Sequence, residues 1–121
     1  PSIYRRLPFD PLRDFVPVSL IAAGSNVLAV HPSLPVNSSG ELIAWAKQRP
    51  GSLRYASGGY GSPSHLAGEL FKVMAGVDLT HVPYPGHAAA GVALSEGREV
   101  QLTCNSPRSC RGDTDGSKMF G

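Results

Sequence analysis

The chain has 121 residues, of which 41% are hydrophobic and 17% charged, and its formal net charge is +2. This length suits one domain with an ordinary core, and the small charge excess, with no basic run that carries interleaved aromatic residues, argues against nucleic acid as a partner. The sequence has no apolar run long enough to span a membrane and no recognisable signal-peptide pattern.

The N-terminal part is irregular up to the first clear strand. Residues 1–14 contain three prolines and no clean period, which predicts an irregular arm or a single helical turn. Residues 15–22 favour an extended chain, a turn follows at 24–26, and residues 27–30 predict a short apolar strand. The two extended segments predict either a hairpin or two strands of one sheet with another strand between them.

Strands and helices alternate from residue 27 onwards. Ser38 and Glu41 form a capping-box pattern, which predicts a helix to about Gln48. The remaining predicted elements are a strand at 53–57, a helix from Ser62 to Ala75, a strand at 77–84, a helix at 87–95 and a strand at 100–104. This alternation predicts an α/β fold with a mainly parallel sheet and flanking helices. Ligands bind such sheets beyond the carboxyl ends of the strands, which indicates the loops at 57–64 and 84–87.

The first of these loops has the features of an anion-binding site. Gly58, Gly59 and Gly61 let the backbone take positive φ or approach another group closely. Ser62 lies at the expected N-cap of the next helix and Pro63 at its first position. Such a junction presents backbone N–H groups and the positive end of a helix dipole to a carboxylate or phosphate. The same glycines also suit a sharp turn that binds nothing, so both interpretations stay open.

Known catalytic and cofactor patterns are absent from the sequence. There is no G-x-S-x-G, no Walker pattern and no G-x-G-x-x-G, and the His and Cys spacings do not form a metal site. We therefore expect no catalytic residue, no metal and no cofactor. The alternative is an α/β enzyme fragment that holds a phosphate or acyl group at the same loop, with Ser57, Ser62 and His65 as the candidate nucleophile or base.

The C-terminal part changes in character. Residues 106–121 carry few apolar side chains and no period, which predicts a polar tail that is disordered or non-native. The tail contains an Arg-Gly-Asp tripeptide at 111–113, and so short a match arises often by chance. Cys104 and Cys110 could pair, so the sequence leaves the redox compartment open.

Several separate motifs occur together in this chain. They are the segment from Pro1 to Phe15, the run Tyr55-Ala56-Ser57-Gly58-Gly59-Tyr60-Gly61-Ser62, the run His65-Leu66-Ala67-Gly68-Glu69-Leu70-Phe71, and His81-Val82-Pro83-Tyr84. In this order they resemble the Bug family, the extracytoplasmic solute receptors of tripartite tricarboxylate transporters. The resemblance covers residues 1 to about 103. The chain departs from the family in its much shorter length and in Pro85, where the family usually has Lys.

The resemblance implies one lobe of a type II periplasmic-binding-protein fold in a periplasmic receptor. It implies that residues 1–15 are an arm of a missing first lobe, that 16–105 form the ligand-binding lobe two, and that 106–121 are the tail. It further implies capture of a small carboxylate, an amino acid or a di- or tricarboxylate, without chemistry. The expected partners are this ligand and, transiently, the membrane components of the transporter. Removal of a lobe would also expose apolar surface through which the chain could form homo-oligomers.

The resemblance and the loop chemistry together give seven candidate ligand-binding residues. They are Ser57, Gly58, Gly61, Ser62 and Ser64 in the first loop, and Tyr84 and Gly86 in the second. The backbone N–H groups from Gly61 to Ser64 are expected to hold one carboxylate of the ligand. The structural alternatives are that Ser62 only caps its helix and that Tyr84 is a packed strand end.

Overall fold

The computed structural model describes residues 6–21, 24–97, 99–105 and 118–120. Its elements are β1 (Val27–Val30), α1 (Ser39–Gln48), β2 (Arg54–Ser57), α2 (Pro63–Ala75), β3 (Thr80–Pro83), α3 (His87–Glu96), β4 (Leu102–Asn105) and β5 (Lys118–Phe120). The alternation predicted from β1 to β4 is confirmed, and the bounds agree with the prediction to within three residues. No helix within the described ranges is both long and apolar enough to cross a membrane.

The five strands form one sheet in the order β3-β2-β4-β1-β5. Strand β2 runs parallel to both β3 and β4, as the helical crossovers between these strands predict. Strand β1 runs antiparallel to both β4 and β5, so the sheet is mixed rather than mainly parallel. The predicted α/β class is confirmed. The sequence did not predict the direction of β1. Alternation along the chain fixes the relative direction only of strands that are neighbours in the sheet, and β4 lies between β1 and β2.

Helices cover both faces of the sheet. Successive side chains of a strand point to opposite faces, so Leu28 and Val30 pack under α1 and α2 while Ala29 packs under α3. Tyr55 and Ala56 divide in the same way between the two cores. The result is a three-layer lobe whose loops after β2 and β3 enter α2 and α3.

The ends of α1 and α2 confirm the capping signals of the sequence. The Ser38 hydroxyl accepts the Glu41 N–H at 3.2 Å, and the Ser62 hydroxyl accepts the His65 N–H at 3.3 Å. Helix α2 ends at Gly76, whose φ of 63° is readily adopted by glycine. These local signals therefore fix where the loop after β2 ends.

The strand predicted at 15–22 is wrong for the part that the structure describes. Residues 15–21 form no strand, and Val18 and Ile21 are 96% and 95% exposed. Strand β1 already has β4 and β5 on its two sides, so the predicted hairpin has no free edge of β1 to pair with.

The C-terminal prediction needs correction at residues 118–120. These residues form β5, in which Phe120 pairs with Leu28 and packs against the core. The Lys118 ammonium also donates to the Val36 carbonyl oxygen at 2.8 Å. Residues 106–117 and 121, with Cys110 and the Arg-Gly-Asp tripeptide, lie outside the described residues, whereas Cys104 lies buried in β4.

Candidate functional site

The two predicted loops lie side by side at the carboxyl ends of β2 and β3. Ser57 is paired with Pro83 at the end of the parallel ladder, and the Tyr84 N–H donates to the Ser57 carbonyl oxygen at 2.9 Å. A Cβ placed on Gly59 would lie 3.5 Å from the Tyr84 carbonyl oxygen. All seven candidate residues therefore lie in, or at the borders of, two loops that touch each other.

Hydrogen bonds within the first loop use several of its N–H groups. The pairs are Gly58 N–H to Ser64 Oγ at 3.0 Å, Gly59 N–H to Ser57 Oγ at 3.1 Å, Gly61 N–H to His65 Nδ1 at 3.1 Å and Ser62 N–H to Gly59 O at 3.2 Å. The Ser62 hydroxyl also donates to the Gly59 carbonyl oxygen at 2.7 Å. These N–H groups already donate to acceptors within the protein. An anion that binds the Gly61 N–H must therefore displace His65 Nδ1.

The second loop has a more open entrance. Gly86, with a φ of 119°, is the N-cap of α3, and no side chain caps this helix. The Gly86 N–H donates to the Tyr84 carbonyl oxygen at 2.8 Å, and within the described residues no side-chain cap bonds to the first turn of α3. An uncapped helix N-terminus of this kind suits an external anion.

The Tyr84 hydroxyl is committed to Glu99. It donates to Glu99 Oε2 at 2.8 Å, and burial together with this carboxylate raises the pKa of Tyr84 to about 12. Tyr84 therefore offers its backbone and ring, rather than its hydroxyl, to the space beside Gly86.

His87 packs between the two loops, and the sequence interpretation missed this. A Cβ on Gly58 would lie 2.9 Å from His87 Nδ1, so glycine is needed for the ring to approach so closely. His87 Nδ1 is buried and has no hydrogen-bond partner within the described part of the chain. The available signal was its place directly after Gly86, at the first position of α3.

The rings of Tyr55, Tyr60, His65 and His81 form an aromatic cluster next to the first loop. The His65 ring stacks on His81 with centroids 4.2 Å apart, and Tyr55 stacks on His81 at 4.8 Å. Tyr60 meets both histidine rings edge-on. The Nδ1 atom of His65 also accepts the Gly61 N–H, which ties this ring cluster to the loop. The β2–β3 register, in which Tyr55 lies opposite His81, brings these rings together.

Burial and neighbouring charges set the ionisation of this cluster. Burial, with the nearby His65, lowers the pKa of His81. Burial opposes ionisation of Glu69, but the hydrogen bond from Tyr55 at 2.6 Å and the ion pair with Lys72 at 3.1 Å outweigh it and lower the pKa of Glu69. Burial and the bond to Glu69 raise the pKa of Tyr55. These shifts favour the neutral form of His81 and the ionised form of Glu69.

The serine at the end of β2 holds the loop. Ser57 Oγ lies 2.6 Å from His81 Nε2 and also accepts the Gly59 N–H, while the residue is fully buried. A nucleophile needs access to its substrate, so this pair is suited to positioning.

Across the described ranges, no group of three or more His, Cys, Asp or Glu side chains could hold a metal ion.

Comparison with known proteins places the chain in one family. The sequence profile of the "Tripartite tricarboxylate transporter family receptor" (TctC) matches residues 1–111. The protein BugT of Bordetella pertussis is 38% identical over 96 residues, which cover 79% of this chain and 29% of BugT. The chain spans 29% to 32% of the length of three curated relatives that it matches.

Solved structures agree with this assignment. "R. palustris Rpa4515 with adipate" has a TM-score of 0.83 and 41% identity over 98% of this chain and 40% of that one. MatC (Rpa3494) from Rhodopseudomonas palustris, solved with bound malate, has a TM-score of 0.71 and 29% identity over 87% of this chain and 35% of that one. The chain belongs to the tripartite tricarboxylate transporter receptors, the Bug family that its sequence motifs resemble.

Proposed function

We propose that the chain is the ligand-binding lobe of a periplasmic receptor that captures a small carboxylate for a tripartite tricarboxylate transporter and makes or breaks no bond. The observation that carries this proposal is the meeting of two helix-entering loops at the ends of β2 and β3. The ligands named for the two Rhodopseudomonas proteins, adipate and malate, are both dicarboxylates. They support this class of ligand, and the individual carboxylate is left open.

In this proposal the two loops have different tasks. The entrance of α3, with Gly86 as its uncapped N-cap and Tyr84 beside it, offers N–H groups to one carboxylate. The Ser62 hydroxyl supplies a further polar contact, while buried Ser64, 3.1 Å from it, holds the loop by accepting the Gly58 N–H. Each hydrogen bond to a charged carboxylate contributes about 1.5–3 kcal/mol.

The other three candidate residues act within the same arrangement. Buried Ser57 holds the loop through His81, and Gly58 gives His87 room to pack. Gly61 offers its N–H once a ligand replaces His65 as the acceptor. Bound in this way, the ligand is held by main-chain groups whose positions the sheet fixes.

The domain assignment and the partners belong to the same proposal. Residues 16–105 act as lobe two, residues 1–15 as an arm of another lobe, and the ligand lies between the lobes. The receptor then meets the membrane components of the transporter transiently. The outward side chains of α2, with Leu70 59% and Met74 79% exposed, provide apolar surface for self-association.

Two glycines with positive φ test the ligand site. Gly86 and Gly76 both have positive φ and open space around the position of a Cβ, but Gly76 ends α2, away from the two loops. Isothermal titration with adipate should give about tenfold weaker binding for Gly86→Ala, which is about 1.4 kcal/mol. Gly76→Ala should keep the wild-type affinity. Equal affinity in the wild type and both variants would contradict the proposed site.

A further inference from the structure

One side chain already occupies the N–H group that the first loop would offer to an anion. His65, in the first turn of α2, accepts the Gly61 N–H through its Nδ1 atom at 3.1 Å. A ring nitrogen accepts a hydrogen bond only while it carries no proton. The contact therefore requires the form of His65 that is neutral, with its proton on Nε2.

Within the described residues, titratable and charged groups near His65 lie on β2, on β3, in the first loop and on α2 itself. On β3, His81 stacks against the ring, and in the loop Tyr60 meets it edge-on. On α2 itself, the charged neighbours are the ion-paired Glu69 and Lys72, and Glu69 also accepts the hydroxyl of Tyr55 on β2. Since His81 is bound to Ser57 through Nε2 and is less basic than an ordinary histidine, His65 is the ring whose protonation changes the loop.

We propose that His65 is a positioning residue whose protonation releases the Gly61 N–H for a ligand carboxylate. This inference rests on the proposed function. A proton from solvent that binds Nδ1 places two N–H donors face to face, and the bond to Gly61 is lost. The freed N–H and the positive imidazolium then both favour an anion at this loop.

The expected consequence is that ligand binding takes up a proton. By linkage, a pH low enough to protonate His65 strengthens binding, and a bound carboxylate in turn favours the protonated ring. We expect adipate to bind about five- to tenfold more tightly at about pH 6 than at about pH 8, a change that corresponds to about 1–1.4 kcal/mol.

The first experiment needs no ligand. Nuclear magnetic resonance follows the Gly61 amide and the His65 ring during a pH titration of the whole chain, with the Gly51 amide as reference because it donates to a backbone carbonyl, that of Asp78. The Gly61 amide should shift with the same midpoint as the His65 ring, while Gly51 stays constant. A Gly61 amide that does not move through the His65 titration overturns the inference, whatever the protein binds.

The second experiment uses adipate and two histidine variants. His65→Asn keeps a short polar acceptor but does not titrate, and should bind with the same affinity at both pH values. His31→Asn is the matched control, because His31 Nδ1 likewise accepts a backbone N–H, that of Ser33, at 3.2 Å. This control should keep the wild-type pH dependence. Binding that is independent of pH in the wild type, or a dependence that survives in His65→Asn, overturns the inference and leaves the proposed function standing. Absence of adipate binding at both pH values counts against the proposed function, and the ligand-free titration then decides the inference.

Discussion

The contact between α2 and the sheet gives the sharpest test of the packing. Gly68 faces the Tyr55 ring, and a Cβ on Gly68 would lie 2.8 Å from Cζ and 2.9 Å from Cδ2 of that ring. Tyr55 is fully buried, and its hydroxyl donates to Glu69. Overpacking of this kind costs about 1–3 kcal/mol, and a shift of the ring also weakens a charge-assisted bond worth roughly 1.5–3 kcal/mol. Alanine regains only about 1 kcal/mol as the better helix former.

We therefore expect Gly68→Ala to lower the free energy of unfolding by about 2 kcal/mol. Gly91→Ala is the matched control, because Gly91 lies within α3 and a Cβ there would meet no described atom within 4 Å beyond its chain neighbours and its own helix backbone. This control should raise the free energy of unfolding by about 0.5–1 kcal/mol. Urea unfolding followed by circular dichroism measures both values. A Gly68→Ala variant as stable as the Gly91→Ala control would refute the packing of Tyr55 against α2.

Three further outcomes follow from the same structure. Ser62→Ala removes the acceptor of the His65 N–H and should cost about 1 kcal/mol in thermal or urea unfolding, whereas an unchanged midpoint would argue against the cap. Leu70→Lys should change the free energy of unfolding by less than about 0.5 kcal/mol, because the side chain is exposed. The same variant should reduce self-association in light scattering. A large loss of stability would contradict the exposure of Leu70. Folding lowers the pKa values of His81 and Glu69, so each group contributes stability above its unfolded pKa and loses it as the pH falls. The free energy of unfolding should therefore begin to fall below about pH 6.5 because of His81, and fall further below about pH 4.5 because of Glu69. Stability that is constant over this range would exclude that contribution.

Local signals in the sequence predict most of the fold. Ser38 and Ser62 mark the starts of α1 and α2, and Gly76 marks the end of α2, because each supplies a hydrogen bond or a backbone conformation that the helix end requires. The segment at 15–22 shows the limit of such signals. Its β-branched residues favour an extended chain, but a strand also needs a free neighbouring strand, and β1 has none to offer.

Helix α2 shows a second limit of sequence patterns. Leu66, Leu70, Phe71 and Met74 recur at helical spacing and suggest one apolar face. In the structure, Phe71 packs against the core while the other three are more than half exposed, and Ser64 and Gly68 are buried instead. The helix turns this way because the Tyr55 ring needs the space over Gly68 and because its hydroxyl reaches Glu69. The periodicity of apolar residues predicts that α2 is amphipathic, but the packing of the Tyr55 ring determines which face of the helix is buried.

The two loops of the site also differ in a way that residue types do not reveal. Glycine-rich loops and helix entrances look equally open in a sequence, yet the Gly61 N–H already has His65 as an acceptor, while the entrance of α3 after Gly86 has no side-chain cap. Among the described residues, no side-chain cap competes with an arriving carboxylate at the start of α3, whereas at the start of α2 the carboxylate must displace the His65 ring from the Gly61 N–H. We therefore expect the second loop to provide the part of the affinity that is independent of pH. The first loop should add a part that depends on a proton, so Gly86→Ala should weaken binding at both pH values, whereas His65→Asn should remove the pH dependence.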